Sequence, residues 1–317
     1  MAMNQVQFQR GVCMPEFFER YGTEDQCAAA LVAMRWPGGF RCPRCSSGAH
    51  YVVSHGRRKL FQCRGCRHQT SLTAGTMMDS TKLPLRTWFL AIFLISQAKT
   101  GLSALALKRQ LGTSYRTAWL IHQKVMATMA QRDSELPLTG LVQMDDAYLG
   151  GERPGVVGRG SPNKVPIVAA VSTDDAGHPI RVKLGCLTGF TCEAITAWAR
   201  VNLTPGCDVR SDGLACFSGV IDAGCAHSYI VVGQRKPRDL PMFHWVNTVL
   251  GNLKTTISGA HKAFKFRKYA SRYLGAFSYR FNRRFNLHGL VRTLFADALG
   301  SPPEREYAVR GAAEFHT

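Results

Sequence analysis

The 317-residue chain carries 40 lysines and arginines against 21 aspartates and glutamates, a formal net charge of +19, and 45% of its residues are hydrophobic. That apolar fraction excludes global disorder and suffices for one large domain with attachments or for two to three modules. A positive surplus of this size points to nucleic acid as the partner, because neutralising phosphate is the common use of such a field.

The opening stretch MAMNQVQFQRGVC lacks the apolar core of an export signal, and the longest apolar run, Trp88 to Ile95, is too short to span a bilayer. The expectation is a cytoplasmic protein associated with DNA and not with membrane. Residues 14 to 36 read as a helical lead-in: Thr23 stands at an N-cap, Gln26 at its capping-box position, and Cys27, Leu31 and Met34 follow at helical spacing. Pro37-Gly38-Gly39 stops it. Two short strands around Gly56-Arg57-Arg58 come next, within Tyr51 to Gln62.

Residues 82 to 132 read as helical. Leu83 to Gln97 is a strongly apolar helix with Pro84 near its first turn, and Leu102 to Leu111 and Ser114 to Met129 form a pair joined at Gly112-Thr113. From about 139 the pattern turns strand-rich, with strands expected at 141 to 149, 167 to 172, 180 to 184, 209 to 211 and 229 to 232. Helices are expected at 191 to 201, 214 to 222 and 243 to 257. Three strands followed by α/β alternation predict an α/β fold, a mixed sheet flanked by helices. The expected organisation is a lead-in over 1–39, a metal-binding module over 40–72, a helical region over 80–133, an α/β domain over 139–296 and a fraying tail over 297–317.

Eleven cysteines in a chain assigned to a reducing compartment argue for thiols or metal ligands, not a disulfide framework. Cys42-Pro43-Arg44-Cys45 and Cys63-Arg64-Gly65-Cys66 have the spacing of a zinc ribbon. Each CxxC turn presents two thiolates on one side of a knuckle, and two knuckles close a tetrahedral site for structural Zn²⁺. His50, His55 and His68 are nearby alternatives, but Cys42, Cys45, Cys63 and Cys66 already complete the set. The remaining seven cysteines show no ligand spacing and read as small buried apolar residues. Arg44, Arg57, Arg58 and Arg64 surround the knuckles and are candidates for DNA contact; the alternative is a solvated basic face.

The helix pair from 102 to 131 fits a helix-turn-helix, with Arg116 opening the second helix, and equally fits a plain helical hairpin. In Leu141-Val142-Gln143-Met144-Asp145-Asp146, two carboxylates end an apolar run. Alternation sends them to opposite faces, so at most one of them is expected in a shared site. Asp212 stands at the end of another strand, before a glycine. Strand-end aspartates can converge on a divalent cation, or serve as turn residues. Asn247 and Lys254 lie two turns apart on one helix and share a face, whereas Asn252 has the wrong offset. Between Leu240 and Phe295 there is no acid at all, and the cations there, Arg283 and Arg284 among them, suit a DNA backbone or a solvated helix. Arg159 lies in a glycine-rich basic loop after the first strand that fits either a DNA clamp or a hairpin loop.

The segments RWPGGFRCPRC, QMDDAYLGG, SDG, and HWVNTVLGNLK followed by YRFNRR resemble the zinc-ribbon-bearing insertion-sequence transposases with a ribonuclease-H-like core, of the kind whose acid triad ends in Asn. The resemblance implies that Asp145, Asp212 and Asn247 hold catalytic Mg²⁺ or Mn²⁺ and that Lys254 holds a DNA phosphate. It also implies double-stranded DNA, terminal repeats and target alike, as partner, and a homo-oligomer when two ends are paired. Asn in place of Glu removes one negative charge from the metal site, which weakens its hold on a cation. A non-catalytic DNA-binding regulator derived from such an enzyme is the second reading.

Overall fold

The computed structural model describes residues 6, 8–55, 58–150, 164–233, 235, 236, 239–262 and 264–311, with His55 and Arg58 described in their backbone only. The chain separates into two units. The first comprises Met1–Ala98, Ala104–Thr128 and Phe285–Val309; the second comprises Lys99–Ser103, Met129–Arg284 and Arg310–Thr317.

The first unit opens with α1 (Met14–Tyr21) and α2 (Glu24–Arg35). The expected capping box is present: Thr23 Oγ1 accepts from the Gln26 N–H, and Gln26 Oε1 accepts from the Thr23 N–H at 2.9 Å. A three-stranded antiparallel sheet follows, β1 (His50–His55), β2 (Arg58–Cys63) and β3 (Gln69–Ser71). Its hydrophobic support is aromatic: Trp36 and Phe40 lie 4.7 and 5.3 Å from the Phe61 ring. Next come α3 (Leu85–Gln97), α4 (Ala104–Leu111) and α5 (Tyr115–Ser134), the last capped by Ser114 Oγ, which accepts from the Thr117 N–H. Beyond its first turn α5 is buried at Ala118, Ile121, His122, Gln123, Lys124 and Val125.

Two expectations at the C-terminus are revised. The α/β domain, expected to run to 296, ends at Arg284. The following helix α9 (Leu287–Gly300) belongs to the first unit, where Phe295 lies 4.3 Å from Phe89 and 5.5 Å from Tyr21. The tail expected to fray contains α10 (Glu306–Arg310), whose Val309 is fully buried. Aromatic burial of this kind overrides the exposure expected of a chain end.

The second unit is built on a five-stranded mixed sheet of β4 (Leu141–Leu149), β5 (Val165–Thr173), β6 (Pro179–Cys186), β7 (Asp208–Ser211) and β8 (Ala226–Tyr229) in the order β6-β5-β4-β7-β8. The first three strands are antiparallel, and β7 and β8 are parallel to β4, the ribonuclease-H-like arrangement. β5 reads as one apolar run because both of its faces are covered. On one face lie α6 (Cys192–Asn202) and a 3₁₀ segment, Ala215–Ala223, packed on Val142, Met144 and Val209. On the other lie α7 (His244–Thr256) and α8 (Phe266–Asn282), packed on Val165, Ile167, Ala169 and Val171. The last strand forms three residues earlier than its apolar stretch predicts, because it pairs with β7, which ends at Ser211 opposite Tyr229.

At the open edge of the sheet, Asn282 closes a paired contact with β6: its Oδ1 accepts from the Val182 N–H at 2.7 Å and its Nδ2 donates to the Val182 carbonyl at 2.9 Å. The same Nδ2 reaches the buried Asp133 carboxylate at 2.8 Å. Asn282→Ala leaves those edge groups without this partner and is expected to cost about 1–3 kcal/mol. Chemical denaturation measures it, and an unchanged midpoint would contradict the role.

Candidate active site

β4 and β7 run parallel with the register Leu141↔Asp208, Val142↔Val209 and Gln143↔Arg210. Continued by two residues, that register sets Asp145 level with Asp212. Val142 and Met144 belong to the cluster under α6, while Ala147 packs with the cluster under α7 and α8, so Asp145 lies on the α7 side of the pleat. Asp146 has the opposite parity. The expectation that only one of the two aspartates enters the site is nevertheless corrected: one carboxylate oxygen from each of Asp145, Asp146 and Asp212 lies within 4.8 Å of the others. Asp212 stands beyond the last residue of β7, where the pleat no longer assigns a face, and this makes it reachable from both neighbours.

The turn that carries Asp212 is held at several points. Its Oδ1 accepts from the Leu214 N–H at 3.1 Å, and Gly213 has φ +87°, a conformation that favours glycine. A Cβ at Gly213 would also come 3.1 Å from the Tyr229 ring. The buried Ser211 hydroxyl contacts His227 Nε2 at 2.9 Å and accepts from the Gly213 N–H at 3.4 Å. Ser211 opens the SDG segment without being given a role by it, and His227 lies outside every quoted motif.

Burial drives the Asp145 carboxyl up to about 7, the Asp212 and Asp146 carboxylates push in the same direction, and the Asp146 N–H and the Lys254 ammonium oppose them. The N–H bond to Asp145 Oδ1 is 2.8 Å long. Lys254, exposed on α7, is thus near enough to act on the carboxylate. Asn247 is exposed on the same helix. The first turn of α7 is capped from the sheet, since Gln143 Oε1 accepts from the N–H groups of Trp245 and Val246 at 3.1 and 3.2 Å. Gln143 opens the QMDDAYLGG segment, but nothing local in that segment assigns it a role at the helix.

In the first unit the four cysteine sulfurs converge within 4.8 Å of one another, with Cys42 to Cys66 and Cys45 to Cys63 both at 3.5 Å. Sulfurs bound to one tetrahedral Zn²⁺ at about 2.3 Å stand about 3.8 Å apart, so this set fits the ion. The N–H groups of Cys66 and Gly65 are among the groups that bring the Cys63 thiol down to about 6, toward the thiolate that zinc requires.

Residues 137–282 match the family model of the ISXO2-like transposase domain, and residues 22–69 match that of the transposase zinc-ribbon domain. The chain therefore carries an insertion-sequence transposase domain together with a transposase zinc ribbon. It is also 28% identical over 141 residues to an uncharacterized protein in transposable element ISH50 of Halobacterium salinarum. That match covers 43% of this chain and 45% of the relative, less than half of either.

In this chain the arginines expected to face DNA have different surroundings. Arg44 and Arg64 are exposed beside the knuckles, with Arg64 over the Tyr51 ring at 4.4 Å. Arg116 makes a two-point ion pair with Glu306 at 2.9 and 2.8 Å. Arg283 lies over the Tyr279 ring at 3.6 Å and 3.8 Å from Asp133, and Arg284 donates to the carbonyls of Pro179, Ile180 and Phe281. Arg283 and Arg284 are therefore committed within the fold, in contrast to the expected free basic surface. Arg57, Arg159 and the Arg58 side chain fall outside the described residues. Among the described residues no helix is long and apolar enough to cross a membrane.

Two predictions follow from these sites. Removing zinc with a strong chelator should render residues 40 to 70 protease-sensitive, because ligand binding and folding of such a ribbon are one equilibrium; unchanged resistance would refute the zinc assignment. Without divalent cation, the folded protein holds a proton on Asp145 up to about pH 7, whereas the unfolded chain releases it near pH 4. This contribution to stability is complete at low pH and is lost as pH rises through 7. Asp145→Asn should abolish that loss and, in EDTA at pH 8, melt above wild type; a lower melting point would contradict the burial.

Proposed function

We propose that this protein is a DNA transposase that cleaves the ends of its insertion sequence and joins the resulting 3′-hydroxyl to target DNA by phosphoryl transfer. The observation that carries the reading is the convergence of Asp145 and Asp146, in the middle of β4, with Asp212, just past the end of the parallel strand β7, within the transposase domain. Three hard oxygen donors so close together, one with its carboxyl raised to about 7, are a set that a divalent cation stabilises. Asp145 and Asp212, with the neutral amide oxygen of Asn247, would hold Mg²⁺ or Mn²⁺, which would supply charge stabilisation at the reacting phosphate and lower the pKa of the attacking hydroxyl.

The protein's own groups do the rest. Asp145 gives up its proton to become a donor, and the held geometry of Asp145 and Asp212 removes the need to reorganise during reaction. Asp146 adds negative charge beside them and, through its N–H, orients the Asp145 carboxylate. Lys254, exposed on the helix and in electrostatic reach of Asp145, holds a DNA phosphate in place. Arg44 and Arg64 of the ribbon supply sequence-independent affinity for the backbone. Structural Zn²⁺ on the four cysteines keeps that ribbon folded, and a homo-oligomer pairs two ends.

With Mg²⁺ and DNA carrying the element's terminal repeats, purified protein is expected to nick at the 3′ ends and to yield joined products. Asp145→Ala and Asp212→Ala should each lower cleavage at least ~100-fold while leaving end binding intact. The neutral side chain of Asn247, exposed on α7, favours the second reading, a DNA-binding regulator without strand chemistry. Specific binding with no scission in either Mg²⁺ or Mn²⁺ would select that reading.

A further inference from the structure

We infer that Gln143 is a positioning residue that sets the register between the strand bearing Asp145 and the helix bearing Asn247 and Lys254; the inference rests on reading those residues as the reacting set. Gln143 is 6% exposed, on β4, two residues before Asp145 and on the same face of the pleat. A buried amide is costly unless its polar atoms are bonded. Here the carbonyl oxygen takes the N–H groups of Trp245 and Val246, two donors at the start of α7 that the helix itself leaves unsatisfied. The residue preceding the helix, Phe243, offers no side-chain acceptor, so the cap comes from the sheet.

Apart from one further hydrogen bond, the other forces on α7 do not specify its height. Val246, Val249, Leu250 and Leu253 are buried in the cluster with β5, but apolar burial has no direction and tolerates sliding. Displacing the helix along its axis by one residue, about 1.5 Å, breaks both bonds to Gln143. A second directional contact lies on the same turn, where Trp245 Nε1 donates to the Gly177 carbonyl at 2.6 Å. From this anchor the distances run outward in both elements: Asp145 lies about 7 Å up the strand, and Asn247 immediately follows the anchored turn. Lys254 comes about 10 Å further along the helix. One side chain thus ties together groups that are far apart in sequence.

The test compares Gln143→Met, which keeps the volume and removes the acceptor, with Gln143→Glu, which restores it, in the full-length protein. Two readouts are taken: hydrogen exchange of the peptide covering Trp245 and Val246, and the Mg²⁺ concentration giving half-maximal 3′-end cleavage. Gln143→Met should lose exchange protection at that turn and need roughly tenfold more Mg²⁺, and Gln143→Glu should recover the protection and most of the cleavage. Full protection with an unshifted Mg²⁺ requirement in Gln143→Met would overturn the inference, as would failure of Gln143→Glu to restore protection. If wild type does not cleave at all, the transposase reading falls, and exchange alone still decides whether Gln143 holds the helix.

Discussion

Three carboxylates within 4.8 Å of one another, one of them largely buried, repel each other and resist leaving water. Much of the second unit can be understood as the means of holding them there. The central strand β4 has neighbours on both sides and both faces covered, so Asp145 and Asp146 cannot move apart without tearing ladder bonds. Asp212 is fixed differently, by a turn that needs glycine at the next position and by the buried Ser211 hydroxyl beneath it. Strain and repulsion are thus offset by sheet cohesion, and the result is a donor set suited to a hard cation.

The large positive charge has two uses. Part of it stays at the surface: Arg44 and Arg64 are exposed on the ribbon, and Lys262, Lys265 and Arg267 are exposed between α7 and the start of α8. Another part turns inward. Arg280 and Arg284 are pushed down to about 10 by burial, and Lys183, Arg181 and Arg283 surround the buried Asp133 at 3.5, 4.0 and 3.8 Å. Cations used in this way bind parts of the protein to each other, so net charge overstates the surface available to a polyanion. The YRFNRR segment is the clearest instance, since its Asn282, Arg283 and Arg284 all bond to this fold's own groups.

Much of the fold was legible in the residues. The capping box at Thr23 and Gln26, the strand over 141–149 and the helix over 243–257 follow from local spacing and periodicity, and the structure has them within a residue or so. The cysteine pairs carry their geometry in their spacing. Where expectation and structure part, the cause is contact over distance: β8 begins early because its partner β7 is short, and α9 leaves the α/β domain because Phe295 has Phe89 and Tyr21 to pack against. The stretch that forms α8 reads as a solvated helix or a DNA-facing surface, because its aromatic and basic residues are interleaved along it.

By itself the sequence determined the ribbon's four sulfur donors, the succession of the five strands along the chain, and the placement of Asp145 within the first of them and of Asp212 just past the fourth. Those features depend on residues close together in the chain, whose spacing sets which face or turn they occupy. Only the tertiary structure decided that Asp146 joins the cluster, that Gln143 caps a helix 102 residues away, and that Arg283 and Arg284 turn inward. The physical reason is common to all three. Each depends on where a second, distant segment comes to rest, and apolar periodicity says which face is buried without saying against what.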